Sequence, residues 1–401
     1  MRGSFVWSFL SNAAFRRRKA YRYALVDEKK VTALLDSSAP TDELHARIEE
    51  SLMTRYGTDH AILTGSGNHA FSIICKGLRQ RGVKSIALQA YTCKQLVPLA
   101  KEQTLRVRLL ETSKLTGNCL LPLTDFRKQE AFHAIHTFGA PLPLEDLKET
   151  AAKQTPIVED SAHALGAGWP GQKTDDLFFA SLFSFRKNLS VGSGGALITS
   201  DERLAKQARD HTLPPGKIER RAAWGQTALQ IKQWRAHDAW PYPLYSRYEY
   251  SGTTVSRVPM TRLDACVCLD QLHRIDEINA INRETATRLF RALEALEHVR
   301  ALQVAEKTLP TFTRFGFVFD DPLHAKRFQG KALRGGFETG MNYSKDLLEN
   351  LREAGASPAD FLQSADLAAK MVPIGITGLL PADIDQLIEW VIRADSPHEN
   401  A

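Results

Sequence analysis

TPIVEDSAHALGA (155–167) and FFASLFSFRKNLSVGSGGALITS (178–200) decide the fold of this chain. The first is a short apolar run that ends in Asp160, with His163 three residues later. The second sets Lys187 between a hydrophobic, strand-like run and a glycine-rich turn. Outward from these two segments, apolar β-rich runs alternate with helical patterns from about residue 40 to 200. DELHARIEESLMTRYG (42–57) carries Leu44, Ile48, Leu52 and Met53 at helical spacing, with Thr41 as the expected N-cap. HAILTGSGN (60–68) reads as a strand and turn, and AFSIICKGL (70–78) as a helix with Phe71, Ile74, Cys75 and Leu78 on one side. SIALQA (85–90), RVRLLE (106–111) and AFHAIHTF (131–138) are further strands, and PLEDLKETAAKQ (143–154) is a helix leading into the strand that ends at Asp160. Such alternation predicts a mostly parallel α/β sheet, whose ligands sit at the carboxyl ends of the strands.

Beyond the second segment, DERLAKQARD (201–210) is helical. The stretch 211–262 is rich in Trp, Tyr, Pro and Arg and reads as a long irregular connection, of the kind that serves function or an interface. RLDACVCLDQLHRIDEINAINRETATRLFRALEAL (262–296) reads as one long helical pattern. FGFVFDD (315–321), LRGGFE (333–338) and PADIDQLIEWVIRA (381–394) then suggest a small α+β domain. The expected division is a basic arm over 1–30, a large domain over 31–250 and a small domain over 251–401.

At 401 residues and 43% apolar, the chain can bury a large core in two domains. Its five cysteines form no zinc spacing and no disulfide framework, which points to a reducing, cytoplasmic setting. No apolar stretch approaches the roughly 20 residues of a membrane span. The net charge of +6 is matched by Arg2, Arg16, Arg17, Arg18, Lys19 and Arg22, which stand in an acid-free segment. That arm suits a surface lying over the body or a partner subunit, with an anionic membrane interface as the less favoured alternative. Nucleic acid is not expected, because the rest of the chain is not basic. No Walker motif, Ser–His–Asp order, carboxylate dyad or metal-ligand spacing occurs in a supporting context, so metal catalysis is not expected.

An acid at the end of one strand and a lysine just past its neighbour answer a specific chemical need. Pyridoxal phosphate requires a lysine amine for its Schiff base and a carboxylate to keep its ring nitrogen protonated. Lys187 alone would read as a solvated surface residue, and Asp160 alone as a helix cap. Together they resemble the DegT/DnrJ/EryC1/StrS aminotransferases, over roughly residues 40–395 and in the order of their motifs.

The resemblance implies an aspartate-aminotransferase-like architecture (fold type I), with a large cofactor-binding domain and a smaller C-terminal α+β domain. It implies that Lys187 carries the cofactor, Asp160 pairs with the ring nitrogen and His163 touches the ring oxygen. TGSGNHAF (64–71) matches the family's phosphate-binding turn, which assigns Gly67 and Asn68 to the phosphate, with Ser184 as a further donor. The family spaces this serine and lysine two residues further apart than Ser184-Phe185-Arg186-Lys187. AYTCKQ (90–95) matches the segment whose aromatic stacks on the ring; that position falls on Cys93, with Tyr91 the nearest aromatic, and a plain strand end is the alternative. VSRVPMTRLDA (255–265) matches a segment that reaches the phosphate of the other subunit, which puts Arg257 there and implies a homodimer with shared sites. A surface arginine is the other reading of Arg257.

The function expected is transfer of an amino group from an amino acid donor, L-glutamate foremost, to a keto-sugar carried on a nucleotide. Such chemistry serves surface-polysaccharide or secondary-metabolite biosynthesis. Two rivals stand beside it: the same fold acting on a non-sugar ketone, and a catalytically silent regulatory homologue. Lys187 argues against dehydratase chemistry, which family members lacking the lysine perform.

Overall fold

The computed structural model describes residues 25–120, 126–172, 174, 176–212, 259–339 and 343–395. The basic segment 1–22, Arg257 and most of the 211–255 connection lie outside the described residues.

Among these residues seven strands form one sheet, in the order β1-β7-β6-β5-β4-β2-β3. They are β1 His60–Thr64, β2 Ser85–Gln89, β3 Arg106–Leu110, β4 Glu130–Ile135, β5 Ile157–Asp160, β6 Ala180–Ser184 and β7 Gly195–Thr199. All neighbouring pairs are parallel except those of β7, which runs against both β6 and β1. Near-continuous apolar strands such as SIALQ and ASLFS suit a sheet buried on both faces, and both are buried at every position.

One face is covered by the helices Gly67–Gln80, Leu96–Glu102 and Glu202–His211, which pack Phe71, Ile74, Leu78, Val97 and Leu204 against the strands. The other face takes the helices Thr41–Tyr56 and Arg262–His273. Leu44, Ile48 and Leu52, at the spacing the sequence shows, are wholly buried there, each worth roughly 1.5–3 kcal/mol. The expected Thr41 cap is displaced by one residue. Pro40 takes the N-cap position without a side-chain bond, its carbonyl accepts from Glu43 and Leu44, and Asp42 and Glu43 complement the helix dipole.

The 262–296 pattern is not one helix but two, Arg262–His273 and Ile275–Leu293. Arg274 breaks it at φ −110° and ψ 15°, where its guanidinium is held by Asp270 and the carbonyl of Leu25. Ile275 still belongs to the core under the large sheet, whereas Ala286, Leu289 and Leu293 belong to a second core. That core lies on a three-stranded antiparallel sheet of β8 Val299–Ala301, β9 Arg314–Phe319 and β10 Met371–Gly375, with the helices Pro322–Arg334 and Pro381–Asp395. No helix among the described residues is long and apolar enough to cross a membrane.

Candidate active site

The carboxyl ends of the parallel strands gather the residues singled out in the sequence. β5 ends at Asp160, paired in register with Leu182 of β6. β6 ends at Ser184, and the chain turns at once into a single helical turn, Phe185–Asn188. That turn carries Lys187 and closes with a 2.7 Å bond from the Leu189 N–H to the Phe185 carbonyl. The short spacing between Ser184 and Lys187 is therefore taken up by one tight turn rather than an open loop.

Asn188 fastens this turn. Its amide donates to the Ser184 carbonyl at 2.9 Å and to the Ala162 carbonyl at 2.8 Å, and its Oδ1 accepts from the Leu165 N–H at 3.2 Å. The strand end bearing Lys187 and the turn after Asp160 are thus one unit. Burial lowers the pKa of Lys187; Cys93 and Asp160 oppose the shift, and Arg186 and Arg314 reinforce it. A lysine held this way has more of its amine free as base and nucleophile at neutral pH.

Asp160 is buried, with Oδ1 accepting from the Ala162 N–H at 2.9 Å. Its Oδ2 lies 3.4 Å from Nε2 of His133, without hydrogen-bond alignment. His133 is wholly enclosed and stands edge-on to Phe71 at 4.8 Å. Burial drives its pKa down to about 4, so the imidazole behind Asp160 is neutral.

Beside Ser184 stands the amino end of the Gly67–Gln80 helix. Ser66 caps it by accepting from the His69 N–H at 3.2 Å, and the N–H groups of Gly67 and Asn68 have no acceptor within the helix. The packing leaves no room for side chains. A Cβ on Gly67 would lie 3.1 Å from Cβ of Ser184, and one on Gly195 only 2.7 Å from the Gly67 nitrogen. Among the described residues the Ser184 hydroxyl has no partner. Free N–H groups at a helix start, a hydroxyl and glycines form an anion cradle.

His163 is buried, its Nε2 3.2 Å from the Tyr343 hydroxyl and its Nδ1 3.5 Å from Oγ1 of Thr313. Tyr91 is wholly buried; its hydroxyl accepts from the Tyr343 N–H at 3.2 Å, and its ring meets Tyr343 edge-on at 5.4 Å. Cys93 is half-buried, and the Lys187 amine partly offsets the rise that burial imposes on its thiol. Of the two candidates for the ring face, Cys93 is the one in the field of Lys187. A cavity of about 940 Å³ lies elsewhere, lined by Arg55, Tyr56, Glu159 and Trp169 but by none of Lys187, Asp160 and His163. Glu159 and Asp160, adjacent on a strand, point to opposite faces.

Four residues of this neighbourhood were not singled out in the sequence: Asn188, His133, Arg314 and Tyr343. Asn188 follows the lysine directly, and a polar residue inside the apolar run AFHAI is a signal for His133. Arg314 and Tyr343 come from the small domain and carry no local signal.

Fold and site together define a protein of the pyridoxal-phosphate fold type I. The chain belongs to the DegT/DnrJ/EryC1/StrS aminotransferase family, whose profile matches residues 123–391. It is 29% identical over 172 residues to an L-glutamine:scyllo-inosose aminotransferase of Streptomyces griseus, a match spanning 42% of this chain and 37% of that relative's length. In fold it is similar to Helicobacter pylori PseC, an aminotransferase involved in the biosynthesis of pseudoaminic acid (TM-score 0.68, 15% identity, covering 92% of this chain and 95% of that one). It is also similar to an E. coli GDP-4-keto-6-deoxy-D-mannose-3-dehydratase with bound hydrated PLP (TM-score 0.67, 15% identity, covering 91% and 96%).

Pyridoxal phosphate is the cofactor this membership indicates, and the residues present fit it. Lys187 is half-buried with a lowered pKa, Asp160 ends the neighbouring strand, and the Gly67 cradle suits a phosphate.

Proposed function

We propose that this protein is a pyridoxal-phosphate-dependent aminotransferase that moves the amino group of an amino acid to a keto-sugar, linked to a nucleotide. One observation carries the reading: Lys187, Asp160 and the Gly67 cradle converge at the carboxyl ends of β5, β6 and β1. When bound, the cofactor supplies an electron sink for negative charge at the donor's α-carbon. The protein's own groups do the rest. The Lys187 amine takes the proton from the α-carbon of the donor and returns it on the way to product. Asp160 supplies a fixed negative charge opposite a protonated ring nitrogen, and neutral His133 lies behind it. The N–H groups of Gly67 and Asn68, with the Ser184 hydroxyl, hold the phosphate; Tyr91, Cys93 and His163 border the ring.

A second reading concerns the acceptor. The similarity to a scyllo-inosose aminotransferase favours a cyclic ketone that is not a sugar, with L-glutamine in place of L-glutamate. Arg257 is proposed to reach the phosphate of the other protomer in a homodimer. All five cysteines are unpaired, which supports a reducing, cytoplasmic setting.

The test is spectroscopic. The purified protein with bound pyridoxal phosphate should absorb in the visible and bleach with L-glutamate or L-glutamine. Nucleotide-linked keto-sugars and cyclitol ketones, added next, should restore the band selectively. No bleaching with any amino acid would remove the aminotransferase reading. Sedimentation at increasing concentration, with Arg257→Ala beside the wild type, tests the dimer; a monomer with full cofactor affinity rules out a shared site.

A further inference from the structure

The helix Ser344–Ala354 of the small domain lies along the turn that carries Cys93. Asn350 donates to the carbonyls of Ala90 at 3.1 Å and Thr92 at 3.0 Å, and Oδ2 of Asp346 accepts from the Lys94 N–H at 3.2 Å. One helical turn nearer the start, the Tyr343 hydroxyl meets Nε2 of His163. Tyr343, Asp346 and Asn350 follow the three- and four-residue spacing of one helix face. Asp346 therefore stands on the face turned to Cys93 and His163, two of the groups proposed to border the ring.

The carboxylate of Asp346 is only half satisfied. Among the described residues its Oδ1 accepts no hydrogen bond, and it forms no ion pair. Lys94 turns its ammonium to Glu349 at 3.1 Å instead. The Asp346 side chain is half-buried, and burial raises its pKa, while the Lys94 N–H and the charges of Lys94 and Lys187 oppose the rise. Asp346 and the Lys187 amine thus lie in each other's field. A partly desolvated carboxylate with a free oxygen is stabilised by an N–H or O–H and destabilised by a second anion.

We infer that Oδ1 of Asp346 selects the amino donor by the end of its side chain, accepting an amide N–H of L-glutamine and repelling the second carboxylate of L-glutamate. Lys187 fixes the place of the donor's α-carbon, because it takes that carbon's proton. The side chain then extends from Lys187 into the space bordered by Cys93, His163 and Asp346. The two donors are alike up to their end groups: the amide carries N–H donors, whereas the carboxylate only accepts. Facing an ionised acid in a partly buried site, the first gains a charge-assisted bond and the second meets a like charge. This inference rests on the aminotransferase reading and concerns the donor alone, and its test separates the two.

The holoenzyme is compared as wild type, D346N and D346A. The first readout is the ratio of the L-glutamate and L-glutamine concentrations that half-saturate bleaching. Wild type should favour L-glutamine by about ten- to a hundredfold, the worth of a charge-assisted bond. D346N keeps an oxygen for the Lys94 N–H but no charge. It should bring the two donors to within about threefold, since an amide both donates and accepts. D346A should lose the preference likewise, with a lower melting temperature from the freed Lys94 N–H. The second readout is calorimetric titration with glutaramate and glutarate, which lack the α-amino group and cannot react. Wild type should bind glutaramate the more tightly, and D346N should not discriminate.

A change in D346N that affects both donors alike, leaving their ratio where wild type has it, overturns the inference and leaves Asp346 a structural partner of Lys94. A wild type that favours L-glutamate overturns it as well. If no amino acid bleaches the wild type, the aminotransferase reading fails and the pair of unreactive acids alone decides Asp346; equal binding of the two then overturns it. Should D346A not fold, D346N carries both readouts.

Discussion

Asn188 and Ala162 are joined by a 2.8 Å bond from the side-chain amide of the first to the carbonyl of the second. That bond ties the turn bearing Lys187 to the turn that follows Asp160, so the two groups cannot move independently.

Asn188→Ala should therefore loosen the site as well as the fold. It leaves the Ala162 and Ser184 carbonyls and the Leu165 N–H without their partner. Buried groups left unpaired cost about 1–3 kcal/mol each; partial relaxation should hold the total to roughly 2–4 kcal/mol. Urea unfolding measures this loss, and a cofactor titration should show weaker binding. An unchanged cofactor affinity would mean that Asn188 secures the backbone alone.

Lys187→Ala should abolish turnover while the protein stays folded. Burial lowers the pKa of Lys187 below 10.5. In the cofactor-free protein this is a penalty, because the unfolded chain binds the proton more tightly. The penalty is full below the lowered pKa and fades as the pH climbs toward 10.5. Lys187→Met should accordingly raise the melting temperature of the cofactor-free protein at neutral pH, by less and less as the pH rises. A gain independent of pH would point to packing instead.

His133→Leu should make the protein more resistant to acid. The native imidazole has its pKa pushed from 6.5 to about 4. Between those values the unfolded state binds more protons, so wild-type stability falls as the pH drops from 6.5 toward 4, by about 3 kcal/mol in all. Denaturant midpoints across this window should converge with those of the variant at the high end. Parallel curves would show that His133 does not titrate on unfolding.

Gly195→Ala should damage the cradle directly. The added methyl would stand 2.5 Å from the Phe183 carbonyl oxygen and 2.6 Å from the Ser66 carbonyl carbon, both backbone atoms that cannot swing aside. Either β7 or the amino end of the Gly67–Gln80 helix must shift. Phosphate-dependent cofactor binding should weaken at least tenfold, measured against Gly168→Ala, where a Cβ meets nothing within 4 Å. Equal binding in the two variants would show that the helix start does not hold the phosphate.

The sequence by itself determined the parallel sheet, the faces of its helices and the local order of Asp160, His163, Ser184 and Lys187. These follow from periodicity and from groups close along the chain, which need only local geometry to be legible. It also showed a glycine turn opening a helix at Gly67, a local signal, whose assignment to a phosphate came from the family resemblance. The break at Arg274 was not legible: the 262–296 pattern stays helical in period, and the bend comes from the anchoring of Arg274 by Asp270 and Leu25. Only the tertiary structure showed that Tyr91 is wholly buried, its hydroxyl accepting from the Tyr343 N–H, whereas Cys93 is half-buried. Only it brought Arg314 and Tyr343 of the small domain to a site built on the large one. Pattern records which side of an element is buried, but not which distant residue it is buried against; that is decided when the two cores pack around the Ile275–Leu293 helix.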